Sequence, residues 1–273
     1  MALARTGFTL GIRPVGSLRP HEETIPENVQ TVASEMMKDG IQKDPIIIDR
    51  ESATVLDGMH RLAAFVSLRV ENAVCCSVDY SSKTVTLHRW ARVYGVPPGD
   101  TFEEALTATV AVRRTTLAEA FSAVDSREAG FAVLSAQKAY VSNGSADLSR
   151  AVGAVEALDA IAAERGWKRR FVPEDDIDLP LQEVRNIVVL LRRITKDDVV
   201  TAGRSGELFP CKTSMHLIDP RPVGVNFPIA ELNSATAQTL REKLKGREGR
   251  LLPAGSEYGG RRYKERLLLL SEN

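Results

Sequence analysis

Apolar residues in the first hundred positions fall in short runs whose spacing switches between that of strands and that of helices. Residues 9 to 15, TLGIRPV, read as a first strand, and the loop GSLRPHEETIPEN that follows places Pro26 well as the first residue of a helix. From Glu27 to Lys38 the apolar residues Val29, Val32, Ala33, Met36 and Met37 recur at helical spacing, and Asp39-Gly40 stops the helix. PIIID (45 to 49) and ATVLD (53 to 57), separated by Arg50-Glu51-Ser52, read as a hairpin or a closely spaced strand pair. Leu62, Ala63, Ala64, Phe65, Val66 and Leu68 then predict a buried helix, and NAVCCSVDY (72 to 80) and TVTLHRW (84 to 90) two more strands. These elements make a compact mixed α/β unit of about the first 95 residues.

The pattern changes at Val96-Pro97-Pro98-Gly99-Asp100, a composition typical of a domain boundary. It divides the chain into a domain over 1–96 and another over 97–273. Beyond it, alanine-rich helices are expected over 101–123 and 147–165, with GFAVLSAQKAYVSN (130 to 143) between them as two strands. DLPLQEVRNIVVLLRRIT (178 to 195) reads as a further helix with a continuous apolar face. The segment ELFPCKTSMHLIDPRPVGVNFPIAEL (207 to 232) holds four prolines and reads as a rigid, irregular loop. No internal repeat or low-complexity tract is present.

Charge narrows the function classes: 36 Lys and Arg balance 36 Asp and Glu, so no net field draws the chain toward nucleic acid or an anionic membrane. This argues against a nucleic-acid partner while leaving room for a local basic patch. No run approaches the roughly 18 apolar residues of a membrane span, and MALARTGFTLGIRP lacks the apolar core of a secretory signal, so a cytoplasmic protein with no membrane partner is expected. Cys75, Cys76 and Cys211 fit neither a disulfide framework nor a zinc spacing and read as reduced, mostly buried thiols.

Three stretches could carry chemistry. In DGMHR (57 to 61) a strand runs into a helix through Asp57, Gly58, Met59, His60 and Arg61. The glycine lets backbone approach a ligand, the helix N-terminus attracts anions, and Arg61 and His60 can donate to phosphate oxygens. The same residues also suit a plain turn, in which Asp57 caps the helix, Arg61 pairs with it and His60 is a satisfied polar residue. In RPHEE (19 to 23) Glu22 could act as general base, or Glu22 and Glu23 could simply favour the positive end of the next helix. In KTSMH (212 to 216) two hydroxyls beside Lys212 and His216 could bind a phosphoryl group or a carboxylate, or form a solvated turn. Neither GxxxxGK[ST] nor GxGxxG occurs.

Taken together, the PHE loop, the helix ending at DG, the PII strand, VLDGMHR and the VDY strand resemble the nucleotide-binding domain of the ParB/sulfiredoxin superfamily. RPHEE with DGMHR and a distal KTSMH is most similar to the free L-serine kinases of archaea and of some bacterial siderophore pathways. The resemblance covers the first 95 residues and the 207–232 segment, and residues 100–206 only in general character. It implies a ParB/sulfiredoxin-like N-terminal domain, a C-terminal α/β domain and an active site in the cleft between them. It also implies phosphorylation of free L-serine to O-phospho-L-serine, a step toward cysteine biosynthesis, with ADP or ATP as donor and Mg2+ as the metal.

On that resemblance Glu22 takes the proton of the serine hydroxyl, and Asp57, Gly58, Met59, His60 and Arg61 hold the donor phosphates. Asp57 also holds the metal, and Trp90, Lys212, Thr213, Ser214 and His216 bind the substrate. Two positions depart from the pattern. Met215 stands where the archaeal kinases have arginine, which leaves Arg221 or another residue to replace that cation, and Met59 stands where sulfiredoxins carry their reactive cysteine, which removes the thiolate that sulfinic-acid reduction needs. The alternative reading is a ParB-like nucleotide-binding transcriptional regulator without small-molecule turnover, and a kinase for threonine or homoserine is a third. Oligomeric state is not legible.

Overall fold

The computed structural model describes residues 7–109, 111–143, 147–234, 237–244 and 247–271. Strand β1 (Thr9–Pro14) leads through a 3-10 turn (Val15–Ser17) and an extended loop to helix α1 (Pro26–Asp39). Pro26 opens α1 and Gly40 ends it at φ 68°, a left-handed conformation that glycine adopts without a Cβ clash. Short strand β2 (Ile41–Gln42) precedes β3 (Ile46–Asp49) and β4 (Val55–Asp57), which pair antiparallel. Helix α2 (Met59–Ser67) crosses to β5 (Asn72–Val78), which runs parallel to β3 and antiparallel to β1. The sheet order is β1-β5-β3-β4. Ile46, Ile47 and Ile48 are at most 1 % exposed, as a central strand covered on both faces requires.

The chain then enters a second compact unit in strand β6 (Val85–Gly95). There follow α3 (Phe102–Thr109), β7 (Val112–Thr115), α4 (Leu117–Asp125), β8 (Phe131–Leu134), β9 (Ala139–Ser142), α5 (Leu148–Glu164), β10 (Lys168–Pro173), α6 (Asp178–Gln182) and β11 (Asn186–Leu191). Their sheet runs β10-β6-β11-β8-β9-β7. Along β11 the odd residues Ile187, Val189 and Leu191 enter one apolar cluster with Val155 and Leu158 of α5. The even residues Val188 and Leu190 enter another with Ala120 and Val124 of α4.

Two sequence expectations fail here. The helix predicted over 178–195 is a short helix followed by the central strand β11, because the β-branched run Ile187-Val188-Val189 is buried on both sides and a continuous apolar run fits either period. The single helix over 101–123 is interrupted by β7, where Val112-Arg113-Arg114-Thr115 pairs with β9. Thr116 then starts α4 with a capping box to Glu119.

The last part of the chain comprises α7 (Lys196–Ser205), β12 (Ser214–Ile218), β13 (Arg221–Val223), β14 (Phe227–Pro228), α8 (Ile229–Ser234), α9 (Ala237–Leu244), β15 (Glu248–Leu252), β16 (Glu257–Tyr258), β17 (Arg261–Arg262) and β18 (Leu267–Ser271). The stretch 207–232, expected to be irregular, thus contains three short strands. The first compact unit comprises the described residues of Met1–Thr86, Lys196–Cys211 and His216–Asn273, and the second those of Leu87–Thr195 and Lys212–Met215. A single division at residue 96 therefore does not describe the packing. β14 pairs with β2, the Asn233 side-chain Oδ1 accepts from the Glu71 main-chain N–H and the Leu232 carbonyl accepts from Asn72 Nδ2, which ties the carboxyl-terminal elements to the amino-terminal sheet. A three-stranded sheet, β13-β18-β15, completes this unit.

Candidate functional site

The corner between β4 and α2 is built on Gly58. Val55 and Leu56 are buried, Asp57 ends the strand half-exposed, and Gly58 turns the chain at φ 101°, where a side chain would be strained. Gly58 rather than Asp57 is the N-cap of α2, and no side chain caps the helix, which corrects the capping role given to Asp57 in the plain-turn reading, while the Arg61 pair and a satisfied His60 are both present. Asp57 instead accepts from Arg61 one turn later, Nη2 to Oδ2 2.7 Å, and Arg61 also reaches the Pro45 carbonyl at 3.2 Å. The guanidinium lies against Gly58 so closely that a Cβ there would stand 2.9 Å from Nη2. Arg61 Nε is buried with no hydrogen-bond partner. The first turn of α2 contains no acidic residue, so the positive end of the helix faces the corner unanswered by its own side chains. Met59 and His60 sit half-buried in that turn, and His60 Nε2 accepts the Ile25 N–H at 3.2 Å.

A second guanidinium arrives from β13. Arg221 Nη1 lies 3.3 Å from Asp57 Oδ2, Nε donates to Glu265 Oε1 at 2.5 Å, and Nη2 donates to the His216 carbonyl at 2.7 Å. Arg221 and Glu265 are both buried. Burial works against the charge on Asp57, but Arg221 and Arg61 outweigh it and hold the carboxyl well below its usual range. Glu265 escaped the sequence reading. The signal available was its place two residues before the apolar β18, in a Tyr-Lys-Glu-Arg run otherwise typical of a solvated turn.

The PHE loop lies alongside this corner as an added extended segment. Arg19 bridges Thr54, the Arg19 carbonyl accepts from Val55 N–H at 2.9 Å, and Glu22 bridges Phe209. His21 is buried with Nδ1 2.7 Å from the Val55 carbonyl, while the half-buried Glu22 is its neighbour in this extended segment. Burial depresses His21 to about 4, and it holds His216 well below the usual imidazole value too. The two rings meet edge to face with centroids 5.6 Å apart, and His216 Nε2 is 2.7 Å from the Tyr80 hydroxyl. His216 is 5 % exposed. Its ring is therefore packed among His21 and Tyr80, and its carbonyl holds Arg221.

In the second unit Trp90 of β6 and Lys212 come together, with Lys212 Nζ 4.6 Å from the centre of the indole. Trp90 N–H donates to the Thr213 carbonyl at 3.4 Å, and Lys212 sits at φ 59°. Thr213 and Met215 are buried and Ser214 is half-buried. A cavity of about 270 Å³ in the same unit, walled by Val96, Phe102, Ile187, Arg185 and the Lys138–Glu103 ion pair, contains none of the motif residues. Among the described residues no group of three or more His, Cys, Asp or Glu could cage a metal ion, and no helix is long and apolar enough to cross a membrane. Cys75 and Cys76 are buried free thiols, and Cys75 is pushed up to about 12 by burial.

No family model matches the chain. Over 76 residues it is 37 % identical to a ParB-like protein of Sulfolobus acidocaldarius, a match spanning 28 % of this chain and 38 % of that protein. Over 234 residues it is 25 % identical to an ATP-dependent L-serine kinase of Desulfurococcus mucosus, covering 80 % of this chain and 89 % of the relative. The fold is similar to that of a free serine kinase mutant solved in complex with ADP, with a TM-score of 0.70 at 19 % identity over 82 % of this chain and 93 % of that one.

Proposed function

We propose that the chain is a free L-serine kinase, transferring the terminal phosphoryl group of ADP or ATP to the serine hydroxyl to give O-phospho-L-serine. The observation that carries the reading is the convergence of Arg61 and Arg221 on Asp57 at the uncapped N-terminus of α2, an arrangement made to exchange one anion for another. Similarity to a serine kinase across most of both chains supports the substrate class. Donor phosphates would lie over Gly58, Met59 and His60 and take hydrogen bonds from the first turn of α2 and from the two guanidiniums. Phosphoryl transfer asks chiefly for in-line positioning and neutralised charge, which such a corner supplies.

In the reaction the serine oxygen bonds to the terminal phosphorus as the bond from phosphorus to the bridging oxygen breaks, and Glu22 accepts the hydroxyl proton. ADP thus leaves as AMP, or ATP as ADP. Trp90, Lys212, Thr213 and Ser214 are the proposed serine contacts, with His216 acting through the placement of Arg221. Asp57, a carboxylate kept ionised beside the uncapped start of α2, is the residue that would hold a magnesium ion together with the donor phosphates. When bound, it would neutralise the phosphate charge.

Incubation with L-serine, Mg2+ and ADP or ATP in parallel is expected to yield O-phosphoserine, with Glu22→Gln reducing turnover by a factor of at least about 100. Absence of product with both donors rejects the reading. Threonine and homoserine in the same assay settle the acceptor. A ParB-like regulator is the second reading, favoured only by the 76-residue match to a ParB-like protein. It predicts DNA retardation that weakens steeply with salt and no phosphoserine.

A further inference from the structure

The hairpin of β16 and β17, turned by Gly259 and Gly260, delivers two adjacent arginines just before Tyr263 and the buried Glu265. Arg262 donates to the Gly255 carbonyl within the hairpin. Arg261 is placed differently. Its guanidinium lies 4.8 Å from the centre of the Tyr263 ring, and Arg221 lies 5.9 Å from the centre of that same ring while its Nη1 touches Asp57. Tyr263 is buried in a cluster with Val223 and Leu267, so the ring is a fixed platform shared by both cations. Arg261 also adds to the field that keeps Asp57 ionised.

The charges around Asp57 are unevenly answered. Arg61 pairs with Asp57, and Arg221 pairs with both Asp57 and Glu265. Arg261 is exposed and, among the described residues, pairs with no carboxylate. A nucleoside di- or triphosphate brings several negative charges, more than two guanidiniums already satisfied by protein carboxylates can neutralise. A planar guanidinium held on an aromatic face keeps its outer N–H donors free for bidentate bonds to phosphate at little cost in side-chain ordering.

We propose that Arg261 is a phosphate-binding residue of the donor site, so that the β16–β17 hairpin takes part in holding the terminal phosphate of the nucleotide. This rests on the serine-kinase reading of the same site. The test is direct titration of the full chain with ADP, ATP and AMP by calorimetry, alongside phosphoserine formation, for the wild type, R261Q, R261K and R262Q. R261Q is expected to weaken ADP and ATP by about tenfold, to change AMP affinity and the KM for serine less than twofold, and to leave the thermal midpoint unchanged. R261K should recover only part of the loss, and R262Q should behave as wild type. Wild-type affinity for ADP in R261Q, or an equal loss in R262Q, overturns the proposal while leaving the kinase reading intact. Failure of the wild type to bind either donor or to form product overturns both.

Discussion

Gly58 occupies a left-handed turn that selects glycine, and a Cβ there would stand 2.9 Å from Arg61 Nη2, so any side chain at this position must push the guanidinium aside. Gly58→Ala is expected to cost about 1 to 2 kcal/mol of stability from the positive φ alone and to displace Arg61 from Asp57, seen as a raised KM for the nucleotide with the serine KM unchanged. Arg221 makes three contacts in three directions, a geometry that one ammonium cannot reproduce. Arg221→Lys should therefore keep the fold yet lower kcat by about 10- to 100-fold, measured as phosphoserine formed at saturating substrates. DGMHR was legible because Asp57 and Arg61 are one helical turn apart, and local spacing fixes their meeting. Arg221 could be suggested only as a substitute for the cation absent at Met215. Glu265 and Arg261 were invisible, because their approach to Arg221 depends on the pairing of β13 with β18, which no local pattern announces.

Strand β11 shows where periodicity alone fails. Its residues alternate between two apolar layers, yet all six are buried, so the sequence shows one unbroken apolar run that suits a helix equally well. α1, by contrast, was readable to within a residue because Pro26 and Gly40 mark its ends. The sandwiched position has an energetic consequence. Ile187→Ala and Leu190→Ala should each cost about 2 to 5 kcal/mol, and because they face opposite layers the double variant should lose close to the sum. Urea denaturation of the two single variants and the double checks this, and strong non-additivity would count against the two-layer packing. The PHE loop gains order in a similar way, by lying as an extended segment between Thr54 and Phe209 rather than through any helix or hairpin of its own.

Two buried imidazoles make the whole molecule sensitive to acid. The folded protein keeps His21 neutral down to about pH 4, whereas the unfolded chain binds a proton near 6.5, so the unfolded state holds more protons between these values. Stability is thus complete above about 6.5 and declines as the pH falls toward 4, by about 2 to 3 kcal/mol for His21 alone at 1.36 kcal/mol per unit. His216 acts in the same direction. Urea midpoints followed from pH 7 to 4.5 should fall, and His21→Gln should flatten that slope. A rise in stability on acidification would contradict the burial of both rings. The return of the carboxyl-terminal strands to the first unit also orders events during synthesis. A ribosome exposes Asp57 and Arg61 well before Arg221 and the Glu265 that steadies it, so a nascent chain can shape the glycine corner long before the second guanidinium can reach Asp57.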